Sequence, residues 1–345
     1  MSARGGWQAI VVCALHRGKH LGYSQPYLLV DLSPLCSMPS PPLRLGTRAS
    51  PLARWQADWV ASELRKRGVE VELVLISTQG DVKTGPLGQI GGQGLFTKEI
   101  QRALLEGQID LAVHSLKDLP TAHVEGLALA AVPKRESIND AFVCGTVKSI
   151  AELPQNARIG TGSLRRRAQL LHLRPDLQML EIRGNVDTRL RKLDAGEYDA
   201  LVLAQAGLHR LGLDARIASI IPLTTMLPAV GQGALGIEAR DDDAVTRELL
   251  APLSHEATHR AVIAERSLLA SLRGGCLAPV GAWGRVDGGL LLLDGVVLSG
   301  DGQKKISASA SRPPSAAGDL GCDVAEQLLA QGAEGLIAAS RGPST

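Results

Sequence analysis

Aromatic residues make up only 3% of this 345-residue chain: four Trp, three Tyr and two Phe. With so few stacking platforms and a net charge of only +2, the chain lacks both the aromatic surface and the basic field that nucleic-acid binding needs. The five cysteines, Cys13, Cys36, Cys144, Cys276 and Cys322, are odd in number, scattered, and without C-x-x-C spacing. That pattern indicates neither a disulfide framework nor a zinc site, and it fits a reducing cytoplasm. No apolar run approaches the roughly 18 residues of a membrane span, so no membrane partner is expected. The apolar stretch 7–15 is followed by His16, Arg17 and Lys19 where a signal peptide requires small residues. Residues 33–42 are rich in Pro and Ser, and residues 1–42 are expected to be a disordered leader, or untranslated if initiation falls at Met38.

What is present is a strong α/β alternation. A hydrophobic content of 45% supports real cores, and the length allows two or three domains. After a short strand at 43–47, Ser50-Pro51 gives an N-cap and a proline at the first helical position. Leu52, Trp55, Trp59, Val60 and Leu64 then share one face, which predicts that both tryptophans are core. A second strand at 69–77 leads into residues 80–94, which hold six glycines and no periodic pattern. A loop of that length reads as a lid over a site or as idle connection. A helix over 96–106 then feeds the strand that ends in residues 113–120, VHSLKDLP.

That stretch places Ser115, Lys117 and Asp118 beyond the carboxyl end of a strand, where open α/β sheets keep their chemistry. Taken alone it also reads as a capped turn with a solvated lysine. Other strand ends carry the same kind of cargo. Arg48 lies between the first strand and helix, as either a carboxylate ligand or a plain surface arginine. A second series starts at Arg158 with a glycine turn and Ser163 as a helix cap, which by alternation predicts a parallel sheet. Residues 158–192 hold nine Lys or Arg against three Asp or Glu, a local surplus of six. Arg167, Arg174, Arg191 and Lys192 read as a solvated face. Arg165, Arg166 and Arg183 stand at helix starts or strand ends, where guanidinium forks bind carboxylates, and Arg189 and Arg210 can join them. Residues 234–238 return the chain to the first domain, and two crossings make a cleft. A smaller α+β domain follows from Glu256, with Arg273-Gly274-Gly275-Cys276 as a loop.

The motifs GTRASPLARWQA, GGQGLFTKE, VHSLKDLP, GTGSLRR, RGNVDTRL, LPAVGQGA and GGCLAPVG occur here in one order. From residue 43 to the C-terminal region the chain resembles the porphobilinogen deaminase family, also called hydroxymethylbilane synthases. The resemblance implies two periplasmic-binding-protein-like α/β domains around a central cleft, 43–135 with 231–252 and 136–230, plus a small α+β domain, 253–345. It further implies a transferase that condenses four porphobilinogen molecules head to tail on a dipyrromethane cofactor held by a cysteine thioether. Matching motif to motif places the catalytic carboxylate at Asp118 and the thioether at Cys276. Contacts to substrate or cofactor fall at Arg48, Ser115, Lys117, Arg165, Arg166, Arg183, Arg189 and Arg210. No metal is implied, and the enzyme is expected to be a cytoplasmic monomer whose partners are porphobilinogen and the growing polypyrrole chain. The family usually has lysine where Gln93 stands and often a basic residue at Gln79, so fewer cations are expected from this loop. The rival reading is a non-catalytic periplasmic-binding-like receptor for a small anion, which has no use for Asp118 or Cys276.

Overall fold

The structure, a computed structural model, describes residues 41–77, 97–275 and 278–340. The first sheet takes β1 (Leu43–Thr47), β2 (Val71–Leu75), β3 (Leu111–Ser115), β4 (Leu127–Ala131) and β10 (Leu235–Arg240) in the order β2-β1-β3-β10-β4. β1 pairs parallel with β2 and β3, while β10 runs antiparallel between β3 and β4. The second sheet takes β5 (Asp140–Val143), β6 (Arg158–Gly160), β7 (Gln178–Leu180), β8 (Ala200–Ala204) and β9 (Ser219–Ile220) in the order β7-β6-β8-β5-β9. Here β5 is the antiparallel strand, between β8 and β9. The two sheets therefore share one design, in which each receives a strand at a crossing from the other. This is the two-lobed α/β arrangement expected from the sequence. The series from Arg158 is parallel as expected, β6 pairing with β7 and β8, and the antiparallel strand in each sheet is the one that follows a crossing.

Helix α1 (Pro51–Arg65) buries Ala57, Val60, Ala61 and Leu64 against the first sheet, with Leu45, Leu111 and Ile237 in the same core. Trp59 packs at the edge of that core, but Trp55 is 37% exposed, contrary to the helical-face reading. The two tryptophans share a face one turn apart, but Trp55 lies nearer the start of α1, beyond the core and facing the other lobe, where Arg210 lies over its ring. α2 (Lys98–Leu105) covers the same sheet with Ile100 and Leu104. In the second lobe α3 (Leu164–Leu173), α4 (Val186–Asp194) and α5 (Gln205–Arg210) flank a sheet centred on Phe142, Ile159 and Leu201, each nearly or fully buried. Arg174 does not belong to a solvated face: it pairs with Asp176 and donates to the carbonyls of Ile150 and Leu153.

After α6 (Ala244–Leu250), the third domain begins with α7 (Glu256–Ser271). Its antiparallel sheet, β11 (Val280–Asp287), β12 (Leu290–Leu298) and β13 (Lys305–Arg312), packs against α7, α8 (Ala317–Ala330) and α9 (Ala333–Ser340) through Leu268, Leu293, Leu320 and Val324. Both crossings between the lobes meet this domain at Glu265, which is fully buried. Its carboxylate accepts two bonds from Arg135 at 2.7 and 3.0 Å, one from the Gly231 amide at 2.7 Å and one from the Gly284 amide at 2.9 Å. A buried carboxylate is tolerated only with such saturation. At Gly233 the crossings pass so closely that a Cβ would lie 2.5 Å from the Glu136 carbonyl oxygen, with φ at +81°. Only glycine fits there.

Candidate active site

β3 ends at Ser115 and passes directly into a 3-10 turn, Leu116–Asp118. Leu116 and Leu119 are buried, so the apolar pair anchors the turn. Lys117 and Asp118 between them are left facing the cleft, Lys117 half-buried and Asp118 exposed. Burial pushes the Lys117 ammonium down to about 8, with Asp118 opposing the shift and Arg166 adding to it. Beneath Asp118 a cavity of about 70 Å³ is lined by Arg48, Ser50, Gln56, His114 and Ser115. Gln56 donates to the Ser115 hydroxyl at 2.7 Å, which ties α1 to the strand end. The cluster of Arg48, Ser115 and Asp118 expected from the sequence is therefore assembled in space.

On the opposite wall, Ser163 caps α3 by accepting from the Arg166 amide, and the first turn of that helix carries Arg165 and Arg166. Both are buried, and both converge on Asp140 at the start of β5. Arg165 reaches one carboxylate oxygen at 2.7 Å, and Arg166 reaches the other at 2.8 and 3.0 Å. Burial alone would raise the Asp140 carboxyl, but the charges of Arg165 and Arg166 outweigh it and hold the group far below the usual carboxylate range. Two guanidiniums on one carboxylate leave the cluster net positive. Burial in turn lowers Arg165, whose Nε is buried with no hydrogen-bond partner among the described residues. Arg165 also donates to the Leu227 carbonyl at 2.7 Å.

The remaining predicted cations are distributed more widely. Arg189, on α4, donates to the Gly184 carbonyl at 2.9 Å. Burial, then the charge of Arg166, pushes it down to about 10, and Asp118 from the facing lobe pulls the other way. Arg183 pairs with Glu181 at 2.9 Å on the rim, with its Nη2 buried and unbonded among the described residues. Arg210 lies where α5 meets α1: it donates to the Gly233 carbonyl at 2.7 Å, sits 5.8 Å from the Trp55 ring centroid, and is pushed down to about 10 by burial. Cys276, and the loop with Gln79 and Gln93, lie outside the described residues. Next to Cys276, Gly275 has φ of +63°, and a Cβ at Gly274 would be 2.7 Å from Leu269.

Asp140 and Gln56 were not singled out from the sequence. The available signal for Asp140 was a carboxylate opening the apolar strand DAFV, since a buried acid requires partners and an arginine pair follows 25 and 26 residues later. Gln56 gave no such signal, being one polar residue on a helix.

Residues 43–248 match the family model described as porphobilinogen deaminase, dipyrromethane cofactor binding domain, and residues 259–330 match the model of the porphobilinogen deaminase C-terminal domain. Among curated relatives, the porphobilinogen deaminase of Geobacter metallireducens is 52% identical over 299 residues, covering 86% of this chain and 94% of that protein. That of Syntrophotalea carbinolica is 50% identical over 305 residues, covering 88% and 97%. Among solved structures, the methionine-binding protein MetQ aligns with a TM-score of 0.41 at 15% identity, over 61% of this chain and 89% of that one. With two family models spanning the lobes and the third domain, and about half of the aligned residues shared with relatives covered over most of their length, the chain belongs to the porphobilinogen deaminase family.

Proposed function

We infer that the chain is a hydroxymethylbilane synthase, joining four porphobilinogen molecules head to tail with loss of one ammonia each. The observation that carries the reading is the exposed carboxylate of Asp118 opposite a wall of arginines. A receptor for a small anion would use the arginines and leave Asp118 idle, so the family match and this carboxylate together favour the transferase.

The dipyrromethane cofactor carries an acetate and a propionate on each ring, and the wall opposite Asp118 suits such a group. Arg165 and Arg183 each bury a nitrogen without a hydrogen-bond partner among the described residues, and Arg165, Arg166 and Asp140 leave a surplus of positive charge. Arg165, Arg166, Arg183, Arg189 and Lys117 would hold its carboxylates, with Arg48, Ser115 and Arg210 serving the incoming substrate and the growing chain. When bound through Cys276, the dipyrromethane supplies the nucleophilic pyrrole carbon at which the chain starts, and an anchor for it. Loss of ammonia from porphobilinogen breaks the aminomethyl C–N bond and leaves a cationic azafulvene. Asp118 stabilises that developing charge beside the ring nitrogens and can accept or return a proton there.

The domain limits proposed for this activity are 43–135 with 231–252, 136–230, and 253–345, supported by sheets that draw their strands from within those spans. We further propose a cytoplasmic monomer. Among the described residues no helix is long and apolar enough to cross a membrane, and the cysteine usage fits a reducing compartment. Intact-mass measurement tests the whole reading. Purified protein should exceed its sequence mass by two linked pyrrole units, Cys276→Ser should lack the increment, and Cys144→Ser and Cys322→Ser should keep it. An active protein at its bare sequence mass would overturn the assignment.

A further inference from the structure

Arg266 projects from α7, in the third domain, toward the lobe that carries Asp118. Its guanidinium donates to the Leu119 carbonyl at 2.9 Å and to the Pro120 carbonyl at 2.7 Å. These are the two residues directly after Asp118. On its entry side the turn is fixed by β3 and by the Leu116 amide, which donates to Ala234 at 3.0 Å. On its exit side the chain runs without regular structure until β4, and Pro120 has no amide to donate. A charged donor makes bonds about twice as strong as a neutral one, and the planar fork holds its two acceptors at a fixed separation. Gly231 packs closely against the same turn. Its φ is +71°, and a Cβ there would stand 3.2 Å from the Leu116 carbonyl carbon and from the Lys117 nitrogen.

We infer that Arg266 is a positioning residue for the condensation: by holding the Leu119 and Pro120 carbonyls, it fixes where the Asp118 carboxylate stands in the cleft. The inference rests on the reading of Asp118 as the catalytic carboxylate. The third domain's hold on the turn after β3 therefore rests on the two carbonyls of Leu119 and Pro120. Misplacement of a catalytic group by about 1 Å can lower a rate by about a hundredfold. The contact with backbone oxygens, rather than with the carboxylate, leaves Asp118 open to the cleft while its backbone is held.

The test uses the purified holoenzyme and porphobilinogen, with kcat, KM, melting temperature and intact mass recorded for each variant. Arg266→Met should lose about a hundredfold in kcat while KM stays within about threefold and the cofactor mass increment remains. Arg266→Lys, which can reach one carbonyl, should regain about tenfold of that loss. Gly231→Ala, crowding the backbone of Leu116 and Lys117, should also lower kcat with the increment intact. Leu320→Ala is the control, because it thins the third-domain core without touching the turn and should lower the melting temperature while leaving kcat within twofold. A kcat within threefold of wild type in Arg266→Met, or an equal kcat loss in Leu320→Ala, would overturn the inference. If Arg266→Met does not fold, Arg266→Lys decides: wild-type kcat there removes the positioning role. If Asp118→Ala is itself active, the reading of Asp118 fails and the inference falls with it, by a result that no Arg266 variant can mimic.

Discussion

The strand end at Ser115 puts Asp118 into the open cleft, whereas across the cleft Arg165 and Arg166 spend much of their hydrogen bonding on a single buried acid, Asp140. One wall presents its charge to whatever enters. The other stores positive charge in a rigid, desolvated cluster whose excess is felt beyond it, at Lys117 and Arg189. A reacting group gains from being reachable and from a carboxylate free to meet developing positive charge. A gripping wall gains from being preorganised, because guanidiniums already fixed lose less entropy when a polycarboxylate arrives. The two sheets share one strand order, so the difference lies in the loops and helix starts that each mounts on it.

Removing the carboxylate from the open wall should have the largest effect. Asp118→Ala is expected to abolish product formation from porphobilinogen, with Asp118→Glu retaining a small fraction because the charge survives but moves by a methylene. Activity of the alanine variant within a few fold of wild type would erase the contrast between the walls. Next in size, Asp140→Asn should leave Arg165 and Arg166 as uncompensated buried charges and cost about 3–5 kcal/mol of stability, as read by denaturant unfolding. An unchanged midpoint would mean that the cluster is not the rigid half of the comparison.

Arg165→Leu and Arg183→Leu sharpen it further by dividing the grip by stage of elongation. Each lost charge-assisted contact should weaken binding by about 1.5–3 kcal/mol, and native mass spectrometry at limiting substrate should show different adducts accumulating in the two variants. Identical adduct ladders would assign neither arginine to a stage. The smallest effect concerns Lys117, whose ammonium is pushed down to about 8. Below that pH it is charged and can hold a substrate carboxylate, and above it the cation is lost, so KM should rise as pH passes through about 8. The stability linkage has the opposite sign. Between about 8 and its ordinary value near 10.5 the unfolded chain binds the extra proton, so folding is favoured as pH rises through that window. Lys117→Arg should carry the KM rise to higher pH, and a profile identical to wild type would take Lys117 out of the grip.

Much of this was readable in the chain itself. Helix starts at Ser50-Pro51 and Ser163 and strand ends at Ser115 carry local chemistry, and the structure places those elements where the residues indicate. The two crossings and the small third domain followed from the order of elements. What was not readable depends on contacts far apart in sequence. Trp55 and Trp59 share a helical pattern, and only the position of the other lobe explains why one is exposed beneath Arg210. The basic stretch gave the surplus of charge but not its holder, since Asp140 lies outside that stretch, before it in the chain. Arg174 reads as a surface cation until its carbonyl partners are in place.

The position of β10 has a consequence for how the molecule is made. It lies between β3 and β4, yet it is separated from β4 in sequence by the entire second lobe. A nascent chain released to residue 230 has all five strands of the second sheet but lacks an interior strand of the first. During synthesis the gripping lobe can therefore close as a contiguous unit, while the lobe of Asp118 waits with two unpaired strand edges. Protease added to chains arrested at that length should spare residues 140–220 and cut within 43–131. The wall that carries Asp118 is the last part of the cleft to be completed.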